Sequence, residues 1–168
     1  MIVVSDTTPL NYLVLAGKQD ILPLLFGQVI VPEAVMRELQ AAAAPPQVHQ
    51  WLKSRPSWLV VKQAPTPPDK SLFHLDEGER EAIQLAKELK ADLLMIDERA
   101  GRDEALQRGL PVIGTLGVLE SAAERGLVDF PLILAEMKTH GFFISSALEL
   151  DFLERDARRK ASRNKLPE

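Results

Sequence analysis

There is no cysteine among the 168 residues, which excludes disulfides and thiolate metal sites. Oxygen donors and three histidines, His49, His74 and His140, are left as the metal-binding repertoire. No apolar run approaches the roughly 20 residues that a membrane span requires. The opening MIVVSD has no basic flank and too short an apolar stretch for a secretory signal. The expectation is a protein outside the membrane, in the cytoplasm. Nor is there an excess of positive charge: 20 Lys and Arg stand against 24 Asp and Glu, a net charge of −4. That excludes a generally basic nucleic-acid binder, since phosphate contacts draw on Lys and Arg, so any such surface has to be local. Internal repeats are absent, and low complexity is confined to AAAAPP. A chain of this length falls within the size of one domain and can bury about two thirds of its unfolded surface without staples.

What the chain does have is an alternation of short apolar runs with helical patterns. Ile2–Ser5 predicts a strand that ends on Asp6, and Pro9 falls in the first turn of a helix carrying Leu10 and Leu13 and stopped at Gly17. A second helix covers Ile21 to Phe26, and Val29–Val31 predicts the second strand. Pro32 opens a third helix, PEAVMRELQAAAA, which Pro45 and Pro46 end. Val48, Trp51 and Leu52 suggest a short helix, Leu59–Val61 a small edge strand, and APTPPDK a loop. In LDEGEREAIQLAKELKADLLMIDERAGR, residues 75–102, Ala82, Ile83, Ala86 and Leu89 recur at helical spacing. The run Leu93–Ile96 that follows suits a buried parallel strand. Helices over 99–108, from Thr115 to Arg125 and over 130–139 follow, with a strand at 111–113. A last helix, capped by Ser145 or Ser146, turns basic through Arg155, Arg158, Arg159, Lys160, Arg163 and Lys165. The fold class is α/β, a three-layer α/β/α sandwich with a mostly parallel sheet of four to five short strands. The division expected is a domain over 1–145 and a C-terminal helix and basic tail over 146–168.

Acids gather at one edge of this scheme. Asp6 and Asp97 end strands, and extending the stripe of the 75–102 helix back one turn from Ile83 lands on Glu79, which therefore faces inward. A helix leading into a parallel strand runs antiparallel to it, so the start of that helix and Asp97 share the carboxyl edge, where open α/β sheets take their ligands. Glu38, about two turns into the helix after the second strand, can reach the same edge. Four carboxylates without interleaved lysine repel one another unless a cation sits among them, and Mg²⁺ or Mn²⁺ fits an all-oxygen donor set.

Each acid also has an ordinary structural role open to it. Asp6 can cap the Pro-initiated helix, Asp76-x-x-Glu79 matches a capping box, Glu38 can be a solvated surface carboxylate, and Asp97 can cap the helix from Arg99. Their joint placement favours a site. The histidines do not group and read as structural or solvated. Arg99 and Arg102 flank the acidic edge and can hold phosphate, and the basic run with Arg158 and Arg159 can contact RNA or a partner, against the alternative of solvated surface.

In this order and spacing the segments resemble PIN-domain proteins, the fold of the VapC-type toxins of toxin-antitoxin modules. SDTTPL resembles the family's Asp-x-Ser/Thr opening, which implies Asp6 as first acid and Thr8 as its supporting hydroxyl. VIVPEAVMREL resembles the segment with the second acid, Glu38, and GEREAIQLAKELKADLLMIDE the unit with the third and fourth, Glu79 and Asp97. GLPVIGTLGVL looks like one branch of PIN-like proteins, and the resemblance runs to about Phe143. Two departures stand out: the third acid is Glu where the family more often has Asp, and Glu98 follows the fourth.

The resemblance implies a Mg²⁺- or Mn²⁺-dependent ribonuclease that hydrolyses RNA phosphodiester bonds through a metal-activated water. Asp6 and Asp97 would hold the main ion, with Glu38 and Glu79 completing the cage or positioning the water. It also implies homodimers and a small antitoxin protein. The alternative is a non-catalytic PIN-like module that binds RNA or protein. A phosphatase or receiver site fits less well, because Asp6-Thr7-Thr8 lacks the second Asp of an Asp-x-Asp pair and no lysine partner stands out.

Overall fold

Five short strands form one parallel sheet among the residues that the computed structural model describes, 1–54 and 56–165. They are β1 (Val3–Ser5), β2 (Val29–Val31), β3 (Leu59–Val61), β4 (Leu93–Met95) and β5 (Val112–Ile113), in the order β3-β2-β1-β4-β5. Val4 of β1 lies beside Ile30 on one side and Leu94 on the other. All of β1 and β2 is buried, whereas the edge strands β3 and β5 are partly exposed. That gradient explains the sequence pattern. A strand covered on both faces has no position for a polar side chain, so it reads as a continuous apolar run.

The helices are α1 (Thr7–Leu15), α2 (Ile21–Phe26), α3 (Glu33–Gln40), α4 (Pro46–Lys53), α5 (Glu77–Glu88), α6 (Arg99–Gln107), α7 (Thr115–Glu124), α8 (Phe130–Thr139) and α9 (Ser146–Arg163). The chain builds outward from β1 to β2 and β3, then returns through α5 to β4 on the other side of β1, and right-handed crossovers make that return a reversal of direction. The gap between β1 and β4 is therefore the switch point of the sheet, the position at which ligands bind in open α/β folds. Helix α5 packs on both of these strands. Its buried Ala82, Ile83, Leu85 and Ala86 join Val4, Leu94 and Ile96 in one apolar core.

Two elements depart from the sequence expectation. The third helix stops at Gln40, and AAAA does not continue it although alanine is the best helix former. Ala41 turns extended at ψ 151, its carbonyl takes the Ala44 N–H at 2.9 Å, and the His49 ring nitrogen lies 2.7 Å from the same oxygen. Ala44 precedes Pro45, which disfavours the helical region, so the run becomes a turn into α4. Within the expected loop 64–70, Asp69 accepts the Ser71 N–H at 2.8 Å and opens one 3₁₀ turn, Lys70–Leu72.

The chain divides into two compact units, Met1–Thr115 and Leu116–Glu168, so the boundary falls well ahead of 145/146. The physical reason lies in the pairings within the second unit. Phe130 of α8 stacks on Phe152 of α9 at 5.8 Å between centroids, Arg155 lies over the Phe152 ring, Lys138 pairs with Glu149, and Lys160 pairs with Asp129. Helix α9 thus packs with α8 instead of trailing as a tail. The last three residues of the expected 146–168 segment lie outside the described residues. No helix among the described residues is long and apolar enough to cross a membrane.

Candidate functional site

Asp6 enters the switch point directly from β1. Its N–H donates to the Met95 carbonyl at 2.9 Å, which ties the strand end to β4, and its backbone is extended ahead of α1. The side chain makes no capping bond to that helix and is 3% exposed. Burial pushes its pKa up to about 8, opposed by the backbone N–H of Thr7 and reinforced by the negative charges of Asp76, Glu79 and Glu38. A carboxyl so placed keeps its proton at neutral pH unless positive charge arrives.

Glu38 is not the solvated carboxylate that its helix position allows. Its Oε2 accepts from the Thr7 hydroxyl and its Oε1 accepts the Gly78 N–H at 3.1 Å, so one side chain on α3 fastens the starts of α1 and α5. The second bond also satisfies one of the amides left unpaired in the first turn of α5. Gly78 has to be glycine for this approach, because a Cβ there would stand 2.5 Å from Glu38 Oε1. Gly78→Ala is expected to push the Glu38 carboxylate off its two bonds, worth about 1 kcal/mol or more each, and since alanine returns up to about 1 kcal/mol of helix propensity the net loss of stability is about 1 kcal/mol. A urea melt checks it; an unchanged midpoint would show that Glu38 is not held there.

Asp76 and Glu79 form the capping box that the sequence allows, with Glu79 N–H to Asp76 Oδ1 at 2.9 Å and Asp76 N–H to Glu79 Oε2 at 3.3 Å. The box occupies one oxygen of Glu79. The other, Oε1, is buried with no hydrogen-bond partner among the described residues. It faces α6, where a Cβ on Gly101 would lie 3.2 Å from it. Burial raises the Glu79 pKa, and Asp76, Glu98 and Glu38 add to the shift. An unpartnered buried carboxylate oxygen costs its full desolvation, so this atom is the least satisfied point of the site.

Asp97 is held differently. Its Oδ1 accepts the Thr115 N–H at 2.7 Å and its Oδ2 the Thr115 hydroxyl at 2.6 Å, so it ties the end of β4 to the start of α7 and does not cap the helix from Arg99. Burial raises its pKa, while the Thr115 bonds and the Arg102 charge lower it. The structure thus groups Asp6, Glu38 and Glu79 with a fourth acid, Asp76, around the N-terminus of α5. Asp97 stands with Thr115 and Arg102. The sequence had shown Asp76 only as a cap; its charge on Asp6 follows from burial at the switch point, which no local pattern reveals.

A family model described as a PIN domain matches residues 2–166. The chain belongs to the PIN-domain family. The fold is also similar to that of a PilT N-terminus domain protein from the hyperthermophilic archaeon Sulfolobus solfataricus, with a TM-score of 0.54 and 20% identity over 73% of this chain and 93% of that one. No curated protein matches. PIN domains are generally nucleases and generally use divalent metals.

The donor set of this PIN domain suits such an ion. Every charge raising the Asp6 pKa is a carboxylate, and Glu79 Oε1 lacks the partner that a cation would supply. As the side chains stand, no three Asp, Glu or His groups among the described residues converge on one ion position. Mg²⁺ does not demand that, since it keeps several waters and is held through one or two carboxylates together with substrate phosphates.

The remaining candidates fall into place around these acids. The hydroxyl that touches them is that of Thr7, buried beside Asp6, while Thr8 is half-buried in the same turn of α1. Arg102 donates to the Ile96 carbonyl at 3.0 Å beside Asp97, whereas Arg99 is almost fully exposed and 3.9 Å from Asp103. In the second unit the basic run is largely committed to its own helices. Arg159 and Lys160 pair with buried Asp156, Arg155 with Glu120 and Asp151, and Arg163 donates to the Glu124 carbonyl. Among the described residues Arg158 donates only at long range to the Glu154 carbonyl, 3.4 Å, whereas Arg159 is paired with Asp156. The histidines pair locally, His74 with Glu104 and His140 with Glu136, in keeping with structural or solvated roles.

Proposed function

We propose that this PIN domain is a metal-dependent ribonuclease that hydrolyses RNA phosphodiester bonds at the β1–β4 switch point, with Mg²⁺ or Mn²⁺ as cofactor. The observation that carries the reading is the pairing of a buried, acid-surrounded Asp6 with a buried Glu79 whose Oε1 has no partner. Structural capping alone does not account for either: the Asp6 side chain makes no capping bond to α1 beyond the adjacent Thr7 N–H, and the capping box uses only the other oxygen of Glu79. Asp6 and Glu79 are the residues that would hold the ion, with Asp97 as a further arm from β4. A divalent ion there would supply charge against the scissile phosphate and lower the pKa of water.

Glu38 acts in this scheme as the clamp that keeps α1, α3 and α5 together, since both of its oxygens are engaged. Arg102, beside Asp97, is the better placed of the two arginines to meet a phosphate, and Arg158, in the second unit, is a separate candidate for RNA contact. A toxin role, a small antitoxin protein and a second copy of this chain as partners belong to the same proposal, as does a cytoplasmic location.

The test is cleavage of labelled single-stranded RNA in Mn²⁺, in Mg²⁺ and in EDTA, with thermal melts in the same buffers. The expected result is cleavage in either metal, none in EDTA, and a raised melting temperature with Mn²⁺. A protein inactive on every RNA tried and indifferent to Mn²⁺ would instead be a non-catalytic module that binds RNA or protein.

A further inference from the structure

We infer that Thr115 is a positioning residue for Asp97, and that Gly114, Thr115 and Arg102 together form a socket fixing the orientation in which that carboxylate would meet the divalent ion. The inference rests on the metal-dependent reading and adds a residue that acts through Asp97.

The geometry is specific. One residue supplies donors to both oxygens of the carboxylate, the Thr115 N–H to Oδ1 at 2.7 Å and the Thr115 hydroxyl to Oδ2 at 2.6 Å. Two bonds from a single residue fix the rotation of the carboxylate as well as its place. Thr115 is fully buried, so no water competes for either bond. It is also the first residue of α7, so its own N–H lacks a partner within the helix and is satisfied by Asp97.

Gly114 completes the socket by lacking a side chain. A Cβ at that position would come within 2.9 Å of Asp97 Oδ1 and within 2.9 Å of Arg102 Nη1. The guanidinium is itself anchored, through Nη1 to the Ile96 carbonyl at 3.0 Å. Asp97 thus lies between a helix start and an anchored cation, with both oxygens bonded and further lone pairs still free. A carboxylate held in this way loses little freedom when it meets an ion, and partners of this kind typically change metal affinity roughly 10- to 100-fold.

Calorimetry of Mn²⁺ binding to the full chain tests the proposal, with Thr115→Val and Thr115→Ser beside the parent and melts of all three in EDTA. Valine keeps the backbone bond and the shape but removes the hydroxyl, whereas serine keeps both donors. The expected result is Mn²⁺ affinity lowered about tenfold or more in Thr115→Val and restored to within a few-fold in Thr115→Ser. A merely structural cap would lower the EDTA melt and leave Mn²⁺ affinity unmoved, and that outcome overturns the proposal while the divalent site stands. A parent that takes up no Mn²⁺ overturns the divalent site and the proposal with it.

If Thr115→Val does not fold, amide spectra of the parent decide the matter. Addition of Mg²⁺ is expected to shift the Thr115 N–H resonance, because its acceptor is the carboxylate in question. Shifts at Asp6 and Glu79 with Thr115 unmoved would overturn the socket.

Discussion

Without divalent metal the protein is expected to become less stable as pH rises from about 4 to about 8, and Asp6→Asn is expected to remove most of that loss. Below the unfolded-state value of 3.8 the carboxyl of Asp6 is protonated whether the chain is folded or not. Above it the unfolded chain ionises while the folded one, with the Asp6 pKa raised to about 8, keeps its proton. Over that window the unfolded state binds fewer protons, so stability falls with rising pH, and the loss is complete once the pH has passed about 8. Each tenfold change in proton affinity is worth about 1.4 kcal/mol, and roughly four such factors give a loss on the order of 5 kcal/mol. Glu79 and Asp97 are shifted in the same direction and add to it. Urea melts in EDTA at pH 5 and pH 8.5 measure the effect in the parent and in Asp6→Asn. Mn²⁺ should return stability to the parent at the higher pH and do little for the variant. A parent equally stable at both pH values would mean that Asp6 is not confined among the other acids as described.

Much of this arrangement was legible in the sequence because the features concerned are local. The strand run ending at Asp6 with Pro9 just behind it, the apolar stripe that turns Glu79 inward, and Asp76-x-x-Glu79 each depend on neighbours within one or two turns. The inner placement of β1, β2 and β4 follows from runs too apolar to face water on either side. What did not show depends on contacts distant in sequence. The engagement of Glu38 by Thr7 and Gly78 spans 31 and 40 positions, and that of Asp97 by Thr115 spans 18. The repulsion expected among the four carboxylates falls on Asp6 and not on Asp97. The charge acting on Asp97 is that of Arg102, whereas Asp76, Glu79 and Glu38 act on Asp6. Relief of crowding is therefore expected on neutralising Asp6 and not on neutralising Asp97. The alanine run misled for a related reason: propensity favours helix there, but Ala41 turns extended and Ala44 meets Pro45.

Glu79→Gln is expected to abolish metal-dependent RNA cleavage, by at least about 100-fold, while leaving the metal-free protein as stable as the parent or more so. The two effects share one atom. Oε1 is buried without a partner, and in the proposed reaction it is the oxygen free to meet the ion, since Oε2 is engaged by the Asp76 N–H. Glutamine has the shape to keep the capping bond through its carbonyl, but its amide nitrogen carries no charge for a cation and has no lone pair to ligate one. In the metal-free protein the same change removes a buried charge that is also one of the negative charges raising the Asp6 pKa, so desolvation cost and repulsion both fall. Single-turnover cleavage in Mn²⁺ and melts in EDTA give the two readings. The divergence is informative because misfolding lowers both. Cleavage at the parent rate would remove Glu79 from the reaction. Lost cleavage together with a lower melt in EDTA would mean that the carboxylate serves the capping box and the fold, and the unpartnered oxygen would then be no sign of a metal.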